Sequence, residues 1–216
     1  MPISKRFKEL RSRLIELKTH MLPGSFSATG NYTDRQLDRT RGYRLLVHAE
    51  IESYLEDVSK EIVTDAIREW KRNGKASNLL IAFLASYHSS WSVNDECSNE
   101  EIIQLARSRK KPNDSIEEVI DLAQKQFVQI VKDNHGVKEN NFKSLILPTG
   151  IDIAGLDNTW MTTLDNFGSL RGEIAHKTKR ATTQLNPEDE YKRVKDLLEG
   201  LKDLDKKIMN IKSELI

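Results

Sequence analysis

Two residues near the end of the chain have the types and spacing that metal-free phosphoryl chemistry requires: Arg171 and His176, within FGSLRGEIAHKTKR at 167–180. A histidine can take the 2′-hydroxyl proton of RNA or protonate the leaving 5′-oxygen, while an arginine stabilises the charge that builds on the phosphate. Both stand at the end of an apolar pattern, with Leu156, Trp160, Leu164, Phe167, Leu170 and Ile174 at steps of 4, 4, 3, 3 and 4. Arg171 falls at the edge of that stripe, where a guanidinium needs an anionic partner or a wet cleft. His176, five residues on, lies about 140° further around the axis and about 7.5 Å along it, so in a regular helix the two side chains diverge. Either the helix loosens at its end, or the pair meets a second copy across an interface. At a helix C-terminus the dipole favours an imidazolium by about 0.3–1 kcal/mol, which raises histidine basicity. Gly172 costs about 1 kcal/mol inside a helix and is most useful where another backbone or a substrate approaches. The bland alternative is a histidine capping carbonyls and an arginine in a salt bridge to Glu173 or Asp165.

The elements that must hold this pair are all helical. Phe7, Leu10, Leu14 and Leu17 predict an amphipathic helix over 2–21, and "LPGSFSATGNY" breaks it. TDRQ at 33–36 reads as a capping box opening a long helix to about Gly74. Val47, Ile51, Tyr54, Leu55, Val58, Ile62 and Ala66 share its apolar face, and the same angular count puts Arg41, Arg44 and His48 on that face too. Further helices are expected over 76–91, 99–109, 116–134 and 140–147, two of them announced by S-x-x-E caps at Ser98 and Ser115. The motif helix spans 157–176. Asn186 and Pro187 open a last amphipathic helix over 187–213.

With 10 Gly, 5 Pro and 31% charged residues among 216, the composition favours one all-α domain of about six to eight helices without a sheet. A net charge of +1 excludes a wholesale basic footprint, so a polyanion must be held by a local patch. The single cysteine, Cys97, forms no internal disulfide and fits a reducing cytoplasm. The sequence shows neither a signal-like apolar run nor a segment approaching 18 apolar residues, so no membrane partner is expected.

Around the central pair, Arg44 and His48 are candidates for substrate binding, with a satisfied internal hydrogen bond as the other reading. Glu52, at the edge of the same face, could orient a histidine or the arginine. Lys177, Lys179 and Arg180 follow the motif closely enough to hold phosphates, and the run Arg107, Arg109, Lys110, Lys111 could do the same, although charge runs are usually solvated faces. Trp70, Trp91 and Trp160 fit core stripes better than base-stacking platforms. The histidines are scattered and Cys97 is alone, so no metal or other cofactor is expected, and no nucleophile elbow or Gly-rich phosphate loop occurs.

LRGEIAHK resembles the R-x4-H form of the R-x4-6-H motif of HEPN domains. YRLLVHAEIESYLEDVSKEI is similar to the long early HEPN helix, and ENNFKSLILPTGI followed by LDNFGSLRGEIAHK is similar to the approach to the motif in the RiboL-PSP type. The resemblance covers about 43–177, with the terminal helices packed on it. It implies a helical bundle whose dimer brings two motifs to one cleft, metal-independent endoribonuclease activity on RNA, and roles in phage defence or toxin–antitoxin systems, where a cognate antitoxin or other protein would be a partner. It assigns catalysis to Arg171 and His176 and supporting positions to Gly172 and Glu173. Many members carry asparagine where this chain has Gly172, which also fits a silent HEPN-like module that binds RNA or protein. The tyrosine that nucleotide-modified toxins carry two residues past the histidine is Thr178 here.

Overall fold

The computed structural model describes residues 3–88, 100, 116–176 and 185–215, with the backbone alone for 88 and 172–176. Seven α-helices and no strand occur among them: α1 (Lys5–Met21), α2 (Asp34–Asn73), α3 (Asn78–His88), α4 (Ile116–Lys132), α5 (Glu139–Ile146), α6 (Asn158–His176) and α7 (Pro187–Glu214). Apart from position 100, the expected helix over 99–109 lies outside the described residues, as do its basic run at 107–111, Trp91, Cys97 and the caps at Ser98 and Ser115.

The helix ends follow the local chemistry. Thr33 and Gln36 form the reciprocal capping box, and α2 closes on Gly74 in the left-handed region at φ 72°, where a side chain would be strained. Asn186 accepts from the Glu188 amide, with Pro187 in the first turn. α5 stops at Ile146, before Pro148 as expected, and a short 3-10 turn over Leu147–Thr149 follows that carries the proline near its start.

The 40-residue α2 is the spine. Val47, Ile51, Tyr54, Leu55 and Ile62 are fully buried, and each of the other six described α-helices, together with the 3-10 turn, packs against α2. Residues 44, 54 and 61 of α2 meet residues 190, 205 and 212 of α7 through ion pairs and hydrogen bonds, so these two helices run parallel. A buried carboxylate ties three elements together: Asp205 accepts from the Ser4 amide at 2.7 Å, the Ser4 hydroxyl at 2.6 Å and the Tyr54 hydroxyl at 3.0 Å. The Ser4 hydroxyl also caps α1 through the Phe7 amide.

α6 lies across this frame. The Trp160 indole donates to the Leu197 carbonyl at 3.1 Å and fills the space over Gly200, where any Cβ would collide with the ring. Nearer the motif, Gly168 lets α6 approach the backbone at the start of α5, since a Cβ there would sit 3.0 Å from the Lys138 amide nitrogen.

Burial pushes the Tyr54 phenol's pKa well above its ordinary value, with the Asp205 charge adding to it, and burial followed by the Glu190 charge does the same to Tyr43. An acid whose folded pKa exceeds its unfolded value of about 10 contributes stability that is complete below pH 10 and lost as pH rises. Stability measured by urea denaturation should therefore fall above about pH 10, by about 1.4 kcal/mol per pH unit for each such phenol, and Tyr54→Phe should make that slope shallower by one phenol's share.

Candidate functional site

The motif end of α6 rests on a polar patch in the bundle interior. Arg44 and His48, both 1% exposed, stand one turn apart on α2. The Phe167 ring of α6 covers both: its centroid lies 5.9 Å from the Arg44 guanidinium carbon and 6.0 Å from the His48 ring, which is stacked at 23°. An apolar helix could not rest on an unpaired guanidinium, because desolvating that charge would be prohibitive. Glu190, in the first turn of α7 and 2% exposed, removes the difficulty by accepting from Arg44 Nε at 2.5 Å and from Nη2 in a fork. Arg193 adds a third donor to the same carboxylate at 2.5 Å.

His48 is held differently. Its Nδ1 lies 3.4 Å from a Glu52 oxygen, within ion-pair range, while Nε2 is buried without a hydrogen-bond partner among the described residues. Glu52 thus takes the position facing a histidine. Arg44 takes the internal hydrogen-bonded position, with its charge directed at Glu190 rather than at open surface.

The direction of α6 follows from its contacts. Trp160 reaches the middle of α7 at Leu197, whereas Phe167 sits over Arg44, which Glu190 fixes at the start of α7. α6 therefore runs antiparallel to α7, and its last turns travel beyond the patch toward the first turns of α2 and α7. Arg171, half-buried, stands about one turn past Phe167. The α-helix continues without interruption through His176, beyond which residues 177–184 are not described. Loosening of the helix therefore does not reconcile the two positions: between Arg171 and His176 the backbone keeps the regular rise of about 7.5 Å and turn of about 140°. Asp165, a conceivable partner for the arginine, accepts instead from the Glu139 amide at 3.0 Å. The side chains of Glu173 and His176, the surroundings of Gly172, and all of Lys177, Lys179 and Arg180 lie outside what is described. Among those described, no group of three or more His, Cys, Asp and Glu is placed to hold a metal ion.

The RiboL-PSP-HEPN family model matches residues 5–210. The chain belongs to the RiboL-PSP-HEPN family. The match reaches well past 43–177 and takes in α1 and most of α7, the helices that carry Ser4's neighbours and Glu190. No curated protein and no solved structure matches. HEPN domains bind RNA, often dimerise and are often ribonucleases, so membership points to a nuclease or RNA-related role. No described helix is long and apolar enough to cross a membrane.

Two site-supporting residues escaped the sequence reading. Glu190 and Asp205 sit in or beside the α7 core stripe with Val194, Leu197, Leu201, Leu204 and Ile208. The usable signal is a carboxylate at an apolar position, which demands a buried cation or several donors. Removing Glu190 alone strands Arg44: Glu190→Ala should cost about 3–5 kcal/mol in urea denaturation, whereas Arg44→Met combined with Glu190→Leu should cost far less, since no charge is then left buried.

Proposed function

We propose that this HEPN protein is a metal-independent endoribonuclease acting as a cytoplasmic homodimer. The observation that carries the reading is the placement of the R-x4-H motif: Arg171 is half-buried on a helix braced by the buried patch, and the backbone of that helix runs unbroken through position 176. His176 takes the proton of a 2′-hydroxyl, O2′ attacks the adjacent phosphorus, and the P–O5′ bond breaks. The O5′ leaving group receives a proton, so the products are a 2′,3′-cyclic phosphate and a 5′-hydroxyl. Arg171 stabilises the negative charge that grows on the phosphate oxygens. Because positions 171 and 176 lie about 140° apart on a regular helix backbone, one protomer offers an incomplete site in this reading, and two copies facing each other supply an arginine and a histidine to one phosphodiester.

Lys177, Lys179 and Arg180 hold flanking phosphates in this reading. Arg44, His48 and Glu52 brace α6 from beneath, and Gly172 leaves room for the strand or the partner helix while Glu173 lies in the support around the pair. Phage defence or a toxin–antitoxin pair would give such an activity its context. A silent HEPN module that only binds RNA or protein is the reading that Gly172, in place of the common asparagine, would favour.

Purified protein incubated with total RNA and a chelator should generate 2′,3′-cyclic phosphate ends. His176→Ala should lower the rate at least about 100-fold, and Arg171→Ala should do so comparably, with the melting temperature and oligomeric state kept. An absence of cleavage by the parent, with RNA binding unchanged in His176→Ala, would establish the silent module instead.

A further inference from the structure

Next to Glu190 on α7, the half-buried Tyr191 ring lies 5.9 Å from the Phe26 ring, tilted by 33°. Two ammonium groups stand by that same ring: Lys18 from the last turn of α1, 5.8 Å from its centroid, and Lys195 from the following turn of α7, 5.9 Å from it. Neighbouring cations on α7 are spent on carboxylates: Lys192 on Glu188 at 2.7 Å, Arg193 on Glu190 at 2.5 Å and Lys202 on Glu199 at 2.9 Å. Lys18 and Lys195 pair with no carboxylate among the described residues. Nor does the end of α1 depend on Lys18 for capping, because Arg39 of α2 donates to the His20 carbonyl there and the Leu22 amide bonds the Lys18 carbonyl.

Surface lysines ordinarily sample many rotamers, and an aromatic face restrains them by attracting the cation. Two ammonium groups held by one ring are within reach of one or two successive phosphates. Exposed Asp189 and Asp196 flank them on α7, so the positive patch is narrow. That width suits a single strand rather than the broad face of a duplex. The patch lies at the first turns of α7, the end of the bundle toward which antiparallel α6 carries Arg171 and His176.

We propose that Lys18 and Lys195, positioned over Tyr191, form a phosphate clamp that holds a single RNA strand leading to the cleavage pair. The identity of the strand as RNA rests on the endoribonuclease reading. The test uses His176→Ala protein, which binds without cutting, and a fluorescent single-stranded oligoribonucleotide followed by anisotropy across a salt series. Combined Lys18→Glu and Lys195→Glu should weaken binding at least tenfold and reduce the slope of log affinity against log salt by about 1.4, two contacts at about 0.7 each on a single strand. Tyr191→Leu, which keeps both charges but frees the lysines, should weaken binding less and leave the slope near the parent's. Lys206→Glu, further along α7, should change neither. Parental affinity and slope in the double variant overturn the clamp, and if the otherwise wild-type chain still cleaves RNA the endoribonuclease reading stands without it. Loss of binding in the double variant, with no cleavage by the wild-type chain, keeps the clamp and discards catalysis. Failure of the His176→Ala protein to bind RNA at all overturns the clamp, and cleavage or its absence in the wild-type chain then decides the endoribonuclease reading separately.

Discussion

The fork between Arg44 and Glu190 is the interaction on which the motif end of the bundle depends. Both groups are out of water, and each alone would be a heavily destabilising buried charge. Together they convert a polar interruption in the α2 core face into a surface on which Phe167 can lie. The pair also fixes relative placement, because a bidentate guanidinium–carboxylate contact tolerates little rotation. Glu190 belongs to α7, Arg44 to α2 and the covering ring to α6, so one ion pair sets the heading of the helix that carries positions 171 and 176. The same carboxylate is next in sequence to Tyr191, which links the core of this end to its surface.

Such an arrangement need not maximise stability. A buried ion pair often does no better than apolar residues of similar volume, because desolvation offsets much of the attraction. Its effect here is directional. A purely apolar contact between α2 and α7 would permit sliding by a turn, whereas a charge that must meet one particular carboxylate leaves a single register, and Phe167 of α6 settles over the pair so fixed. Asp205 does the same at the opposite stretch of α7, gathering Ser4 and Tyr54 and thereby fixing where α1 begins. Glycines complete the registration: Gly200 admits the Trp160 indole, and Gly168 admits the start of α5.

Helix positions were legible because they depend on neighbours in sequence. The capping box at Thr33 and Gln36, the asparagine and proline at the start of α7 and the 3- and 4-residue steps of α6 all express local geometry, and each appears where expected. The burial of Arg44 and His48 was legible as well, since angular counting alone put them on the core face. Their partners were not. Glu190 is 146 residues from Arg44, and in the sequence it is one of three acids in a first turn, where helix dipoles make acids commonplace. The close approaches at Gly168 and Gly200 were hidden for the same reason, as each depends on an element distant in the chain. The motif itself was readable through spacing and resemblance, while the uninterrupted helix between Arg171 and His176 required the structure, because a run with Gly172 is equally compatible with a loosened end.

The proposed shared site is the central claim, and it rests on that uninterrupted backbone: positions 171 and 176 of a regular helix are about 140° apart, so a second copy is proposed to bring its histidine to the arginine of the first. The direct measurement is RNA cleavage by mixed dimers assembled from Arg171→Ala and His176→Ala chains, each differently tagged and purified as the heterodimer. The account predicts that both parental variants are inactive as homodimers and that the mixed dimer recovers a substantial part of wild-type cleavage, because it retains one arginine and one histidine across the interface. A mixed dimer that forms fully yet cuts no faster than either homodimer would contradict it.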